Sequence, residues 1–197
     1  MKKGHYILLA VILVIIIAVS WFVGKYNLIQ KQKPLVEEAW AQVENVYQSR
    51  LDLIPNLVET VKSYMQHERE TLEAVIQARN AATAAREQAS PADGGSMQSL
   101  ANAESGLGGA LGRLFALSEN YPELRSNQNM LQLQEELTST ESKVAFSRQA
   151  YNDAVMHFNN KIEMFPSNII AGLFRFVPAT SFEVSDDSER ENVVVKF

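Results

Sequence analysis

The residues able to do chemistry are sparse in this 197-residue chain. It holds no Cys, which removes disulfides, Cys-ligated zinc and thiol nucleophiles together. Its three His residues, His5, His67 and His157, lie too far apart to make a local ligand motif, and His67-Glu68 lacks the second His of a zinc-hydrolase helix. Glu135 and Glu136 are neighbours that point to different sides of a helix, so they read as solvated groups and not as an acid/base pair. No glycine-rich phosphate loop followed by Lys occurs. The expectation is no catalytic residue, no cofactor and no metal. The conspicuous polar side chains flank apolar stripes instead: Arg50, Asp52 and Asn56 in one region, Arg125, Asn127, Arg148, Asn152 and Asn159 in another. Asp52 and Asn56 share a helix face at i and i+4. They read either as surface pairs and register contacts or as a polar inter-helix network that fixes the bundle or a subunit contact. Arg50, Asp52, Asn56, Arg148 and Asn152 are the candidate assembly contacts. Val195 and Phe197 are a separate candidate, since PDZ-type domains capture an apolar tail as an added strand.

These side chains need elements to hold them, and the first element is apolar. Residues 1–5 form a basic head carrying Lys2 and Lys3, and residues 6–24 form a transmembrane anchor. Tyr6 to Val23 is an 18-residue run whose one plainly polar side chain is Ser20, long enough at about 1.5 Å per residue to span a bilayer's hydrocarbon. Trp21 sits where an interfacial aromatic belongs. A cleaved signal peptide would need a shorter core and a small-x-small site, and Ser20-Trp21-Phe22-Val23-Gly24-Lys25 offers none. The head and the linker, residues 25–33 with Lys25, Lys31 and Lys33, nearly tie on positive charge. The immediate head charges favour an extracytoplasmic bundle.

Five of the 18 basic residues precede Pro34, leaving 13 against all 23 acids beyond it, a formal charge of −10. Nucleic acid is excluded as a partner on that balance. From Leu35 to Ala89, Val36, Trp40, Val43, Tyr47, Leu51, Ile54, Leu57, Val61, Met65, Leu72 and Val75 recur at threes and fours, which predicts one long helix, about 80 Å if unbroken, bent near Pro55. Ser90 to Gly95 reads as a turn. Ser96 to Ser118 predicts a weaker helix in which Gly106, Gly108, Gly109 and Gly112 demand close packing or mark a mobile segment. Asn120-Tyr121-Pro122 marks a break, Leu124 to Phe165 a further long helix, and Pro166 to Pro178 an apolar segment that packs back along the bundle or forms an interfacial or partner-binding patch. Residues 34–178 therefore predict an all-α, elongated antiparallel helical bundle, and residues 179–197 an acidic tail with a short extended tip.

Three strings carry a resemblance: YNLIQKQKPLVEEAWAQVENVYQSRLDLIPNLVETVKSYMQHE from Tyr26, ENYPELRSNQNMLQLQEELTSTESKVAFSRQAYNDAV from Glu119, and FNNKIEMFPSNIIAGLFRF from Phe158. With these the chain closely resembles the LemA family, outside the Ala/Gly-rich stretch from Ala81 to Leu111. The resemblance implies a single-pass protein of the bacterial inner membrane carrying an antiparallel helical bundle, with no established activity. Family links with magnetosome membranes and with genes for membrane proteases imply a scaffold or adaptor that self-associates, or an accessory subunit of a membrane protease or other envelope complex. No catalytic residue comes across from the resemblance.

Overall fold

The computed structural model describes residues 2–182, and the tail with Val195 and Phe197 lies outside them. Among the described residues seven helices follow one another: α1 (Lys2–Gln30), α2 (Lys33–Lys62), α3 (Arg69–Gln88), α4 (Gly94–Ser118), the single turn α5 (Pro122–Arg125), α6 (Gln128–Glu163) and α7 (Ser167–Leu173). The fold is all-α: an N-terminal apolar helix followed by a packed antiparallel bundle of α2, α3, α4 and α6. The apolar part of α1, of mean hydropathy 3.1 and uncovered by the rest of the chain, is long enough to cross a membrane.

Helical bonding almost carries through from α1 into α2. Lys31 N–H reaches Asn27 O at 3.0 Å and Val36 N–H reaches Gln32 O at 3.3 Å, so only a short 31–32 turn intervenes. Pro34 falls in the first turn of α2, where its missing N–H would have had no partner anyway.

The single helix expected over Leu35 to Ala89 is two. At 63–68 the chain reverses, with Tyr64 N–H and Met65 N–H both donating to Val61 O at 3.0 Å, and α3 returns along α2. The apolar stripe runs through the reversal unbroken because Met65 itself is wholly buried beneath the turn, between Val61 and Leu72. Periodicity registered burial there and not helix continuity.

Pro55 does lie inside α2. A proline at that position leaves the carbonyl of Leu51 without its usual donor. Arg79 Nε, from α3, donates to that oxygen at 3.0 Å, so the orphaned acceptor becomes a link between helices.

Asp93 caps α4, accepting from Gly95 N–H at 3.0 Å and Ser96 N–H at 3.3 Å. The α4 glycines do not pack closely. A Cβ on Gly106, Gly109 or Gly112 would meet nothing within 4 Å, and on Gly108 it would meet Arg50 Nη2 at an ordinary 3.7 Å. The expected break near Pro122 is present, but the side-chain cap of the long helix beyond it is Asn127, which accepts from Asn129 N–H at 2.9 Å and Met130 N–H at 3.1 Å.

Two hydrophobic cores stack along the bundle. The proximal one, nearer α1, gathers Trp40, Val43, Tyr47, Leu100, Val144, Tyr151, Phe158, Ile170 and Phe182, with Phe22 and Tyr26 of α1 against it. The distal one is aliphatic, built from Leu51, Ile54, Leu57, Val75, Leu107, Leu114 and Leu124.

Candidate functional site

Between the two cores sits a buried ion pair. Arg50 Nη1 of α2 lies 3.2 Å from Glu104 Oε2 of α4, with both side chains under one-tenth exposed. The exposed Glu141 of α6 approaches Arg50 Nη2 at 3.8 Å. Burial raises the Glu104 carboxyl above its usual range, against the opposing pull of Arg50. Burial likewise pushes the Tyr47 hydroxyl up, well beyond its usual value. Tyr47 Oη, Arg50 Nε and Glu104 Oε1 have no hydrogen-bond partner among the described residues. Desolvation offsets much of the attraction of such a buried pair, so its cost shows chiefly when one partner is removed and the other is left buried and uncompensated.

A second polar array lies on α6 and holds a strap, residues 178–182. Asn159 donates from Nδ2 to Ala179 O at 2.8 Å and accepts Ala179 N–H at 2.9 Å. Asn152 does the same for Phe182, at 3.1 and 2.8 Å. Seven helical residues cover about 10.5 Å and three extended residues about 10 Å, so the two amides match the strap's repeat. Tyr151 Oη donates to Thr180 O at 2.7 Å, and Thr180 N–H donates to Pro91 O at 2.8 Å, which ties the strap to the α3–α4 turn. Phe182 then enters the proximal core among Trp40, Tyr47 and Tyr151, with ring centroids 5.5 to 6.5 Å away. The Arg148 guanidinium caps its face at 4.7 Å.

Of the polar residues singled out from sequence, Arg50, Arg148, Asn152, Asn159 and Asn127 reach other elements, Asn127 by donating to Tyr64 Oη at 3.0 Å. Asp52 and Asn56 do not: both are exposed, and Asp52 accepts from Gln48 on its own helix at 2.6 Å. Sequence reasoning missed Glu104. The signal was there, since Glu104 interrupts the α4 stripe Leu100, Leu107, Leu111 just as Arg50 interrupts that of α2. It also missed Tyr151 as a strap donor and Arg79 as the partner of Leu51. Among the described residues no group of His, Asp and Glu could hold a metal ion.

What these features define is a helical-bundle protein with an apolar N-terminal helix, whose prominent polar side chains join its own elements. The chain belongs to the LemA family, whose model matches residues 39–197. It is similar to protein LemA of Metamycoplasma hominis, 24% identical over 166 residues, covering 84% of this chain and 72% of that one. It is also similar to magnetosome protein MamQ 2 of Paramagnetospirillum magneticum, 34% identical over 91 residues, covering 46% of this chain and 34% of the relative. Magnetosome protein MamQ of Magnetospirillum gryphiswaldense is 32% identical over 84 residues, covering 43% and 31%. The chain thus spans about a third of the length of the magnetosome relatives it matches.

Proposed function

We propose that this protein is a single-pass, membrane-anchored helical scaffold of the bacterial envelope, crossing the inner membrane with α1, presenting its bundle outside the cytoplasm, and acting by assembly and not by catalysis. The observation that carries the reading is Phe146. On α6, whose other aromatics Tyr151 and Phe158 are buried, it stands 74% exposed over an open groove between α2 and α6, beside Gln42, Val46, Lys143 and Ala150. An aromatic held out of the core by a rigid helix is a ready anchor for a partner helix, a second copy of the chain first among them. The likeness to magnetosome proteins supports a role in organising a membrane structure.

A photo-crosslinking amino acid at position 146 tests this in cells. Adducts between like copies support a self-associating scaffold. Adducts to one unlike membrane protein favour the second reading, an accessory subunit of a membrane protease or other envelope complex. Absence of any specific adduct sinks both. Sidedness is read separately with Ala92→Cys, an exposed position in this Cys-free chain, and an impermeant maleimide: labelling only after the inner membrane is opened would place the bundle in the cytoplasm.

A further inference from the structure

The segment after α6 has two faces of opposite character. Ile170 and Ala171 of α7 are buried against α6 and α1. Ile169 and Leu173, one turn apart on α7, are 61% and 68% exposed, Phe165 in the turn before α7 is 79% exposed, and Met164 and Val177 are similarly bare. From Met164 to Phe182 the chain has no Asp or Glu and one cation, Arg175, whereas the region beyond Pro34 as a whole carries −10. A bare apolar stripe of this size on a water-facing bundle is costly unless something covers it.

Its height in the molecule indicates what does. Phe174 meets Phe22 at 6.0 Å and Tyr26 at 4.7 Å between ring centroids, and Phe176 meets Tyr26 at 6.0 Å. Those α1 residues lie where the apolar run ends, next to Trp21 and Lys25. The stripe is therefore continuous with the apolar surface of α1 at the level of a headgroup boundary. The backbone is built to hold it there: Phe176 N–H donates to Ala171 O at 3.0 Å and Arg175 N–H to Gly172 O at 3.3 Å, with Arg175 in the left-handed region at φ 56°. That closure ends α7 and returns the chain to α1. Arg175 is exposed, so its guanidinium can reach headgroup phosphate while the aromatic neighbours stay in the acyl boundary.

We propose that α7 and its flanks, residues 164–177, form an interfacial collar inserted into the leaflet from which α1 emerges, with Phe165, Ile169 and Leu173 among lipid. The bundle would then grip the membrane at two points, and its tilt on α1 would be fixed. This proposal rests on α1 spanning the bilayer, and the experiment separates the two. Single-Cys variants Ile169→Cys, Leu173→Cys, Val14→Cys and Gln77→Cys of the full chain are labelled with an environment-sensitive fluorophore and reconstituted in phosphatidylcholine/phosphatidylglycerol vesicles. Lipids carrying a nitroxide either near the headgroup or deep on the acyl chain, and aqueous iodide, serve as quenchers, the deep nitroxide reporting on position 14 at the middle of the apolar run and the shallow one on 169 and 173. The collar predicts severalfold stronger lipid quenching at 169 and 173 than at the exposed α3 position 77, with iodide showing the reverse order. If label 14 responds to nitroxide lipids while 169 and 173 behave like 77, the collar is overturned and α1 stands. If label 14 does not respond, the membrane reading of α1 falls and the collar with it. Disulfide-linked dimers of Ile169→Cys without lipid quenching would overturn the collar in favour of a second copy on this face.

Discussion

The proximal and distal halves of the bundle are closed by different means. The distal core is aliphatic and sealed by chain reversals close in sequence, with a few polar links across it: Arg79 to Leu51, Tyr121 to Glu68 at 3.0 Å, and Asn127 to Tyr64. The proximal core is aromatic, joined to α1 and α7, and plugged by Phe182 from a strap that has no helix of its own. Both halves join segments far apart in the chain, the distal half through α2, α4 and α6 around the reversal at 63–68 and the proximal half through α1, α7 and the strap. The Arg50–Glu104 pair lies at the border, where it holds α2 and α4 in one register for both.

Breaking the border should have the largest effect. Arg50→Met leaves the buried Glu104 without its charge partner and is expected to lower stability by about 3–5 kcal/mol in denaturant titration, while Arg50→Met with Glu104→Leu should regain most of it. A double variant as unstable as the single one would show that the pair's worth lies in packing. The same border gives a pH signature. Burial holds the folded Glu104 pKa above its ordinary 4.5, so the folded chain binds this proton at higher pH than the unfolded chain does. That group favours folding least at neutral pH and more as pH falls through the raised value toward 4.5. Melting of Glu104→Gln between pH 7 and 4.5 should lack this component.

The contrast between the halves is sharpened by two truncations of similar size. Phe182→Ala and Ile54→Ala should each cost about 3 kcal/mol. Amide exchange should rise first around Trp40 and Tyr151 in the former and around Leu57 and Leu114 in the latter. Equal acceleration in both halves would show that the border transmits the loss and that the bundle opens as one unit. Asn159→Ala removes both bonds to Ala179 and should cost about 2 kcal/mol, confined to the proximal half. The smallest change has the opposite sign: Gly109→Ala, on the open face of α4, should stabilise by roughly 0.5–1 kcal/mol.

How much the sequence disclosed differed in the same way. The apolar stripe of α2 named most of its buried residues, since 3.6-residue periodicity reports burial directly. The turn at 63–68 stayed hidden because Met65 keeps the stripe going while the backbone reverses. The α4 glycines suggested close packing, yet three of them face open space. Asn152 and Asn159 drew notice as polar residues beside a stripe, but their partners are backbone groups of Ala179 and Phe182, which leave no side-chain signature. Glu104 could have been found as the acid facing Arg50, a pairing that one-helix periodicity does not reveal.

The strap also sets an order of closure during synthesis. Helices α1 to α7 all precede Ala179, so Tyr151, Asn152 and Asn159 wait on the ribosome's progress for the backbone groups they hold. The distal core needs nothing beyond Leu137, whereas the proximal core lacks its plug until Phe182 emerges. A nascent chain arrested short of Ala179 should accordingly protect its distal amides and leave the proximal ones exchanging freely.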